Sequence, residues 1–219
     1  MKKIVKSTLG AHARLQTSEE LARQPSRIDS VMRKFVKHAL HAVFLLTAWP
    51  MAALSGFGRL PGVYRFFAHV CALGPGLPGD YLRIAYYRLT LESCQASSRI
   101  EFGSFFAHPE AVVARGVYIG LYCVLGRARI GERTQIASGV QILSGARQHT
   151  RAANGSIGGA DGGDFVSVSI GADCWIGAGA IIMADVGEGT TIGAGAVVTK
   201  PVPARSVAVG IPARVLEPR

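Results

Sequence analysis

Residues 169–182 read Ser-Ile-Gly-Ala-Asp-Cys-Trp-Ile-Gly-Ala-Gly-Ala-Ile-Ile, and residues 192–200 read Ile-Gly-Ala-Gly-Ala-Val-Val-Thr-Lys. Ile170, Ile176 and Ile182 stand six apart, as do Val186, Ile192 and Val198. The same interval links Ile119 to Leu125, and Ile130 to Ile136 and Ile142. A small residue usually follows, as at Gly120, Gly126, Gly131, Ala137, Gly171, Gly177 and Gly193. A period of six is neither the two of a strand nor the 3.6 of a helix, so its cause lies at a higher level of order. Three short strands joined by tight turns make one triangular coil of about 18 residues. One aliphatic side chain per strand then points inward and stacks on its counterpart in the next coil, about 4.8 Å away. The residue beside it must be small, because the backbone turns a corner there. The pattern predicts a mainly β fold, a parallel β-helix, over residues 100–219.

These repeats resemble the hexapeptide-repeat acyltransferases. Ser169–Gly177 is similar to that family's tryptophan-bearing coil. Ile192–Lys200 with Pro201-Val202-Pro203, followed by Gly210-Ile-Pro-Ala-Arg214, is similar to the closing coils of its maltose, galactoside and capsule-sugar acetyltransferases. The resemblance implies a left-handed β-helix, against the usual right-handed crossover. It also implies a homotrimer with acyl-CoA and acceptor sites in clefts between subunits. Acetyl-CoA is then the co-substrate. Lys200 and Arg214 match partners of its phosphates, Ala178 and Ala194 match small residues along the pantetheine arm, and Thr199 matches a further contact.

The period breaks once at length, over a loop at residues 144–169. Long aperiodic loops in a compact solenoid are commonly functional. This one contains Gly145-Ala-Arg-Gln-His149-Thr-Arg151. Acyl transfer from a thioester to a hydroxyl needs a base during attack, and histidine titrates near neutrality. The resemblance puts the family's catalytic histidine in the loop ahead of the tryptophan coil, where His149 falls. Ser144 is a candidate oxyanion donor, and Tyr122 and Trp175 are candidate acceptor contacts. Tyr122 enters because Gly120-Leu-Tyr-Cys123 lacks the asparagine that sugar acetyltransferases place opposite the histidine. Asp161, Asp164 and Asp173, or a backbone carbonyl, are available to orient His149. His108 precedes Pro109 and reads as a turn residue.

The 219 residues are 49% apolar and 17% charged, which excludes wholesale disorder. The net charge of +10 is uneven: residues 1–99 carry 14 Lys/Arg against 5 Asp/Glu, and residues 100–219 carry 10 against 9. Residues 1–29 read as a polar tail that fits a signal peptide poorly. Residues 30–99 read as helical, basic and apolar. Trp49-Pro50 marks a kink or end of a first helix, and residues 59–79 form a connection with an apolar stretch, Val63 to Leu73. A second helix spans 80–95, with Asp80 as N-cap and Leu82, Ala85, Tyr86, Leu89 and Cys94 on one face. No charge falls between His38 and Gly58, while Lys34, Lys37, Arg59 and Arg65 flank the block. Such a segment is expected to make peripheral membrane contact through residues 30–79, at the inner face of a cytoplasmic enzyme's membrane. No nucleic-acid motif accompanies the basic residues, and nucleic acid is not an expected partner. Cys71, Cys94, Cys123 and Cys174 have no paired spacing and read as buried hydrophobes.

The reading that unites these features is an acyl-CoA-dependent O-acyltransferase acting on a saccharide, small or lipid-linked, in cell-surface or exopolysaccharide synthesis. A serine acetyltransferase and a non-catalytic β-helix scaffold are the alternatives. A metal-dependent hydratase on this fold would need three histidines. Residues 100–219 hold two, His108 and His149, so no metal is expected.

Overall fold

The aliphatic residues of the six-residue period line the axis of a parallel β-helix. The computed structural model describes residues 27–144, 154–157 and 165–216. Residues 1–40 and 41–219 form two units. In the first, the described residues lie on helix α1 (Arg27–Leu54), which continues into the second. The solenoid belongs wholly to the second.

Its coils run in order. The first holds β1 (Ser93–Cys94), β2 (Arg99–Ile100) and β3 (Phe105–Phe106). The second holds β4 (Val112–Val113), β5 (Tyr118–Ile119) and β6 (Val124–Leu125), and the third β7 (Ala128–Ile130), β8 (Gln135–Ile136) and β9 (Gln141–Ile142). The fourth holds β10 (Val168–Ile170), β11 (Trp175–Ile176) and β12 (Ile181–Ile182). Next come β13 (Thr191–Ile192) and β14 (Val197–Val198), then β15 (Val207–Val209) and a closing antiparallel β16 (Arg214–Val215). Three parallel sheets result: A through β1, β4, β7 and β10; B through β2, β5, β8, β11, β13 and β15; C through β3, β6, β9, β12 and β14.

Side chains alternate in and out along each strand, so one residue of each pair faces the axis. Ile119, Ile136, Ile176 and Ile192 stack in register inside sheet B. Leu125, Ile142, Ile182 and Val198 do so inside sheet C, and Val113, Ile130 and Ile170 inside sheet A. All are buried. Each such side chain contributes about 1.5–3 kcal/mol of burial free energy.

The β-helix begins earlier than the expected residue 100: its first coil opens at Ser93, and Cys94, Ile100 and Phe106 keep the six-residue period and are buried. The small residues owe their size to the neighbouring coil as well as to the corner. A Cβ on Gly177 would collide with the backbone of Ala194, and one on Gly131 with that of Gly171 and Ala172. Left-handed backbone falls elsewhere, at the second residue of the turns, including Tyr122, Arg133, Asp173 and Arg205. Buried hydroxyls complete the corners. Thr134 donates to the Gly171 carbonyl at 2.7 Å and accepts from the Cys174 amide at 3.1 Å.

The helices depart from expectation in detail. α1 runs through Pro50 and stops at Leu54. Val63–Leu73 is no mere connection: α2 (Pro61–Ala72) starts on a proline, whose missing N–H costs nothing at a helix start. Its buried residues Tyr64, Ala68, Cys71 and Ala72 follow helical spacing. α3 (Gly76–Thr90) begins before Asp80, so Asp80 is not an N-cap; its carboxylate meets Arg83 and Arg99 instead. Cys94 lies beyond α3, in the first coil.

Arg83 is fully buried and joins α3 to the solenoid. Its Nε donates to the Ile100 carbonyl at 2.8 Å, Nη1 reaches the carbonyls of Cys71, Ala72 and Gly74, and Nη2 meets Asp80. The Tyr64 hydroxyl donates to the Phe106 carbonyl, and the Phe106 amide donates to the Tyr87 hydroxyl. The four cysteines are buried and unpaired, as expected; burial pushes the thiols of Cys71 and Cys94 up to about 12. Among the described residues, no helix is long and apolar enough to cross a membrane.

Candidate functional site

Along sheet B, Ile119 and Ile136 are one coil apart over 17 residues, and Ile176 and Ile192 over 16. From Ile136 to Ile176 the same single coil takes 40. The extra chain leaves the solenoid after β9 and returns at β10, at the corner between sheets C and A. Ser144 stands where it leaves. It is buried, and its hydroxyl oxygen accepts the Arg127 amide at 2.8 Å, so the residue shapes this corner as well as being a candidate donor. Its carbonyl accepts the Val166 amide at 3.1 Å, pinning the returning chain beside the departing one. His149, Asp161 and Asp164 lie outside the described residues.

Three candidates fall on one edge, the corner between sheets B and C. Ala178 and Ala194 are exposed and occupy successive turns, with the Gly195 amide donating to the Ala178 carbonyl at 2.8 Å. They leave a shallow, uncharged track at that edge. Tyr122 lies on the same edge two coils earlier but one residue further along its turn, aligned with Gly139 and Gly179, and is 62% exposed. Its ring packs edge-on to Phe102 at 5.6 Å and over Gly103, where a Cβ would collide with it. Its φ of 56° is costly for a non-glycine residue, by about 1–2 kcal/mol. Arg133 and Asp173 share this backbone state, so it marks a turn position and not by itself a ligand contact.

The other candidates are spread over different edges and faces. Thr199 and Lys200 are exposed just past β14, at the edge from which the extra chain departs two coils earlier. Arg214 is exposed on β16, opposite Val209. Trp175 projects from the outer face of sheet B, 62% exposed, between Gln135 and Thr191. Asp173 is not available as an orienting carboxylate: Arg133 holds it in a bidentate pair, with Nε–Oδ1 at 2.7 Å and Nη2–Oδ2 at 2.6 Å. That pair sits at the corner between sheets A and B and keeps the carboxyl below its usual range.

Sequence reasoning missed a second cluster, set where the helices meet the solenoid. A cavity of about 590 Å³ is lined by Phe57, Arg59, Arg65, His108, Glu110 and Arg127, among others. His108 is therefore more than a turn residue. Its ring packs on Phe165 at 5.2 Å, and burial followed by the charge of Arg127 lowers its pKa, with Glu110 opposing and Arg65 adding. Arg127 lies 5.7 Å over the Phe165 ring, donates to the Phe165 carbonyl at 3.1 Å and meets Glu110 at 3.3 Å. The signal was present in His108-Pro-Glu110, but only folding brings Arg59 and Arg65 to it. Among the described residues no group of three or more His, Cys, Asp or Glu side chains could hold a metal ion.

Residues 167–200 match the family described as bacterial transferase hexapeptide (six repeats). Residues 167–200 thus match that hexapeptide repeat and lie within the parallel β-helix. A maltose O-acetyltransferase from Clostridium difficile 630 shares this fold, with a TM-score of 0.51 and 22% identity over 73% of this chain and 88% of that one. An N-acyltransferase from Bacillus cereus, AntD, solved with a dTDP-sugar and coenzyme A, aligns at 20% identity over 56% of this chain and 70% of that one, TM-score 0.46. A serine acetyltransferase in complex with cysteine aligns at 28% identity over 53% and 44%, TM-score 0.41. Comparison by sequence with curated proteins gives no match.

Proposed function

We propose that the chain is an O-acyltransferase that moves an acetyl group from acetyl-CoA to a saccharide hydroxyl, as a homotrimer, in cell-surface or exopolysaccharide synthesis. The observation that carries this reading is the single 40-residue coil in a solenoid whose next coil takes 16. The extra segment holds His149, the one histidine beyond Pro109. In support, the exposed turns of Ala178 and Ala194 offer a track for a pantetheine arm, and Lys200 and Arg214 are exposed cations suited to its phosphates.

In this mechanism the His149 imidazole takes the hydroxyl proton as the acceptor oxygen attacks the thioester carbonyl. A C–O bond forms, and the carbonyl π electrons move to oxygen, where a hydrogen-bond donor stabilises the charge. Collapse breaks the C–S bond, and the imidazolium returns the proton to the departing thiolate. The products are the O-acetyl ester and free CoA, with no covalent enzyme intermediate and no metal. Tyr122 and Trp175 contact the acceptor. The test follows free thiol from acetyl-CoA against a panel of saccharides and L-serine. Thiol release with a saccharide is the expected result. Turnover with L-serine alone, or with no acceptor at all, would contradict the reading.

A further inference from the structure

The outer surface of the helices in the second unit is apolar to a degree that water does not favour. Val43, Leu46, Trp49 and Leu54 on α1, and Val63, Phe66 and Val70 on α2, are exposed, Leu46 at 76% and Phe66 at 62%. Between residues 41 and 91 the only carboxylate is Asp80, which is buried and paired with Arg83 and Arg99. Arg59, Arg65 and Arg88 are the exposed charges there, and all are cationic. An exposed apolar set whose accompanying exposed charges are all cationic matches a lipid interface and not bulk water.

The cavity at the base of the helices adjoins this surface. Trp49 packs edge-on to Phe57 at 6.3 Å, and Phe57 lines the cavity. Within the cavity the carboxylates are already taken: Glu92 binds Arg129 at 2.6 Å, and Glu110 meets Arg127. Arg59 and Arg65 have no carboxylate partner among the described residues, and the Nε of Arg127 is buried with no hydrogen-bond acceptor. Three guanidinium groups therefore border a cavity of about 590 Å³ whose two carboxylates, Glu92 and Glu110, are already ion-paired, so Arg59 and Arg65 stand there without a counter-anion among the described residues. Guanidinium donors match phosphate oxygens in geometry and charge.

We propose that this cavity binds the phosphate of an anionic amphiphile, with Arg59, Arg65 and Arg127 as ligands, while the apolar face of α1 and α2 rests in the lipid interface. Its acyl or prenyl chain lies against Trp49, Phe57 and their exposed neighbours. The inference stands apart from the acyltransferase reading and does not depend on turnover.

The test uses the full chain and two probes: vesicles of phosphatidylcholine with or without phosphatidic acid, followed by flotation, and inorganic phosphate, followed by thermal shift. The wild type floats with phosphatidic acid vesicles, stays behind with phosphatidylcholine alone, and is released by salt. Arg65→Gln weakens flotation by about fivefold, the worth of one arginine at an anionic surface. Leu46→Ser, at an exposed site that leaves folding intact, abolishes flotation but keeps the shift by inorganic phosphate. Equal flotation with and without phosphatidic acid would overturn the phosphate site. A phosphate-induced shift without any flotation would overturn the lipid source, and no response to either probe would overturn both.

Discussion

Ile142 lies in register beside Ile182, although 40 residues of chain separate them. The next step of that column, Ile182 to Val198, takes 16. The stack of inward aliphatics is thus continuous where the sequence is not. The solenoid absorbs its long insertion at one corner without losing register, because each coil is held by inter-strand hydrogen bonds and by a buried side chain on every face.

The same logic places Arg83 at the joint between helices and coils. Arg83→Met removes the bonds to Ile100, Cys71, Ala72 and Gly74; the Cys71 and Ala72 carbonyls keep the amides of Gly74 and Gly103, while those of Ile100 and Gly74 lose the guanidinium that meets them. The expected loss is about 3–5 kcal/mol in chemical denaturation, the usual result of breaking a buried ion pair from one side. Arg99 still faces Asp80 at 3.2 Å, which keeps the loss at the lower end of that range.

At the edge between sheets B and C, Ala178 is exposed. Ala178→Leu is therefore expected to leave the unfolding free energy within about 0.5 kcal/mol of wild type. If the pantetheine arm lies on that edge, the KM for acetyl-CoA rises about tenfold with little change in kcat, the signature of lost uniform binding. Steady-state kinetics at saturating acceptor check this.

His108 gives a pH prediction with a definite sign. Burial, Arg127 and Arg65 depress its pKa, and Glu110 only partly opposes them. The imidazole is therefore neutral in the folded protein at pH 7, and it protonates below the ordinary histidine value of about 6.5. As pH falls through 6.5 the unfolded chain takes up this proton first, so His108 lowers stability on the acid side and is neutral in effect above it. Arg127→Gln removes the second-largest cause and moves the titration midpoint of His108 upward, read from its ring proton shifts in NMR.

The fold was largely legible because a six-residue period leaves one inward aliphatic per strand, and the periodic aliphatics from Ile119 to Val198 are all buried as that pattern requires. The helices were less so. Asp80 resembles an N-cap in sequence, yet α3 starts at Gly76, and the Asp80 carboxylate pairs with Arg83 and Arg99 instead. α2 hid between glycines and prolines, although Tyr64, Ala68 and Cys71 carry its spacing. For the site, Ala178, Ala194 and Tyr122 fall on one edge because turns stack on turns, which the period implies. The cavity around His108 could not be read, because Arg59 and Arg65 reach it through tertiary packing and not through spacing. Asp173 shows the same limit from the other side: only the stacking of corners reveals that Arg133 already holds it.

The most direct measurement compares acetyl transfer by wild type and His149→Ala on the best saccharide acceptor. General-base catalysis by a positioned histidine is worth about 10²–10⁴ in rate. The acyltransferase reading predicts a fall of that size in kcat, with the KM for acetyl-CoA and the denaturation midpoint unchanged. Turnover by His149→Ala at the wild-type rate would contradict it.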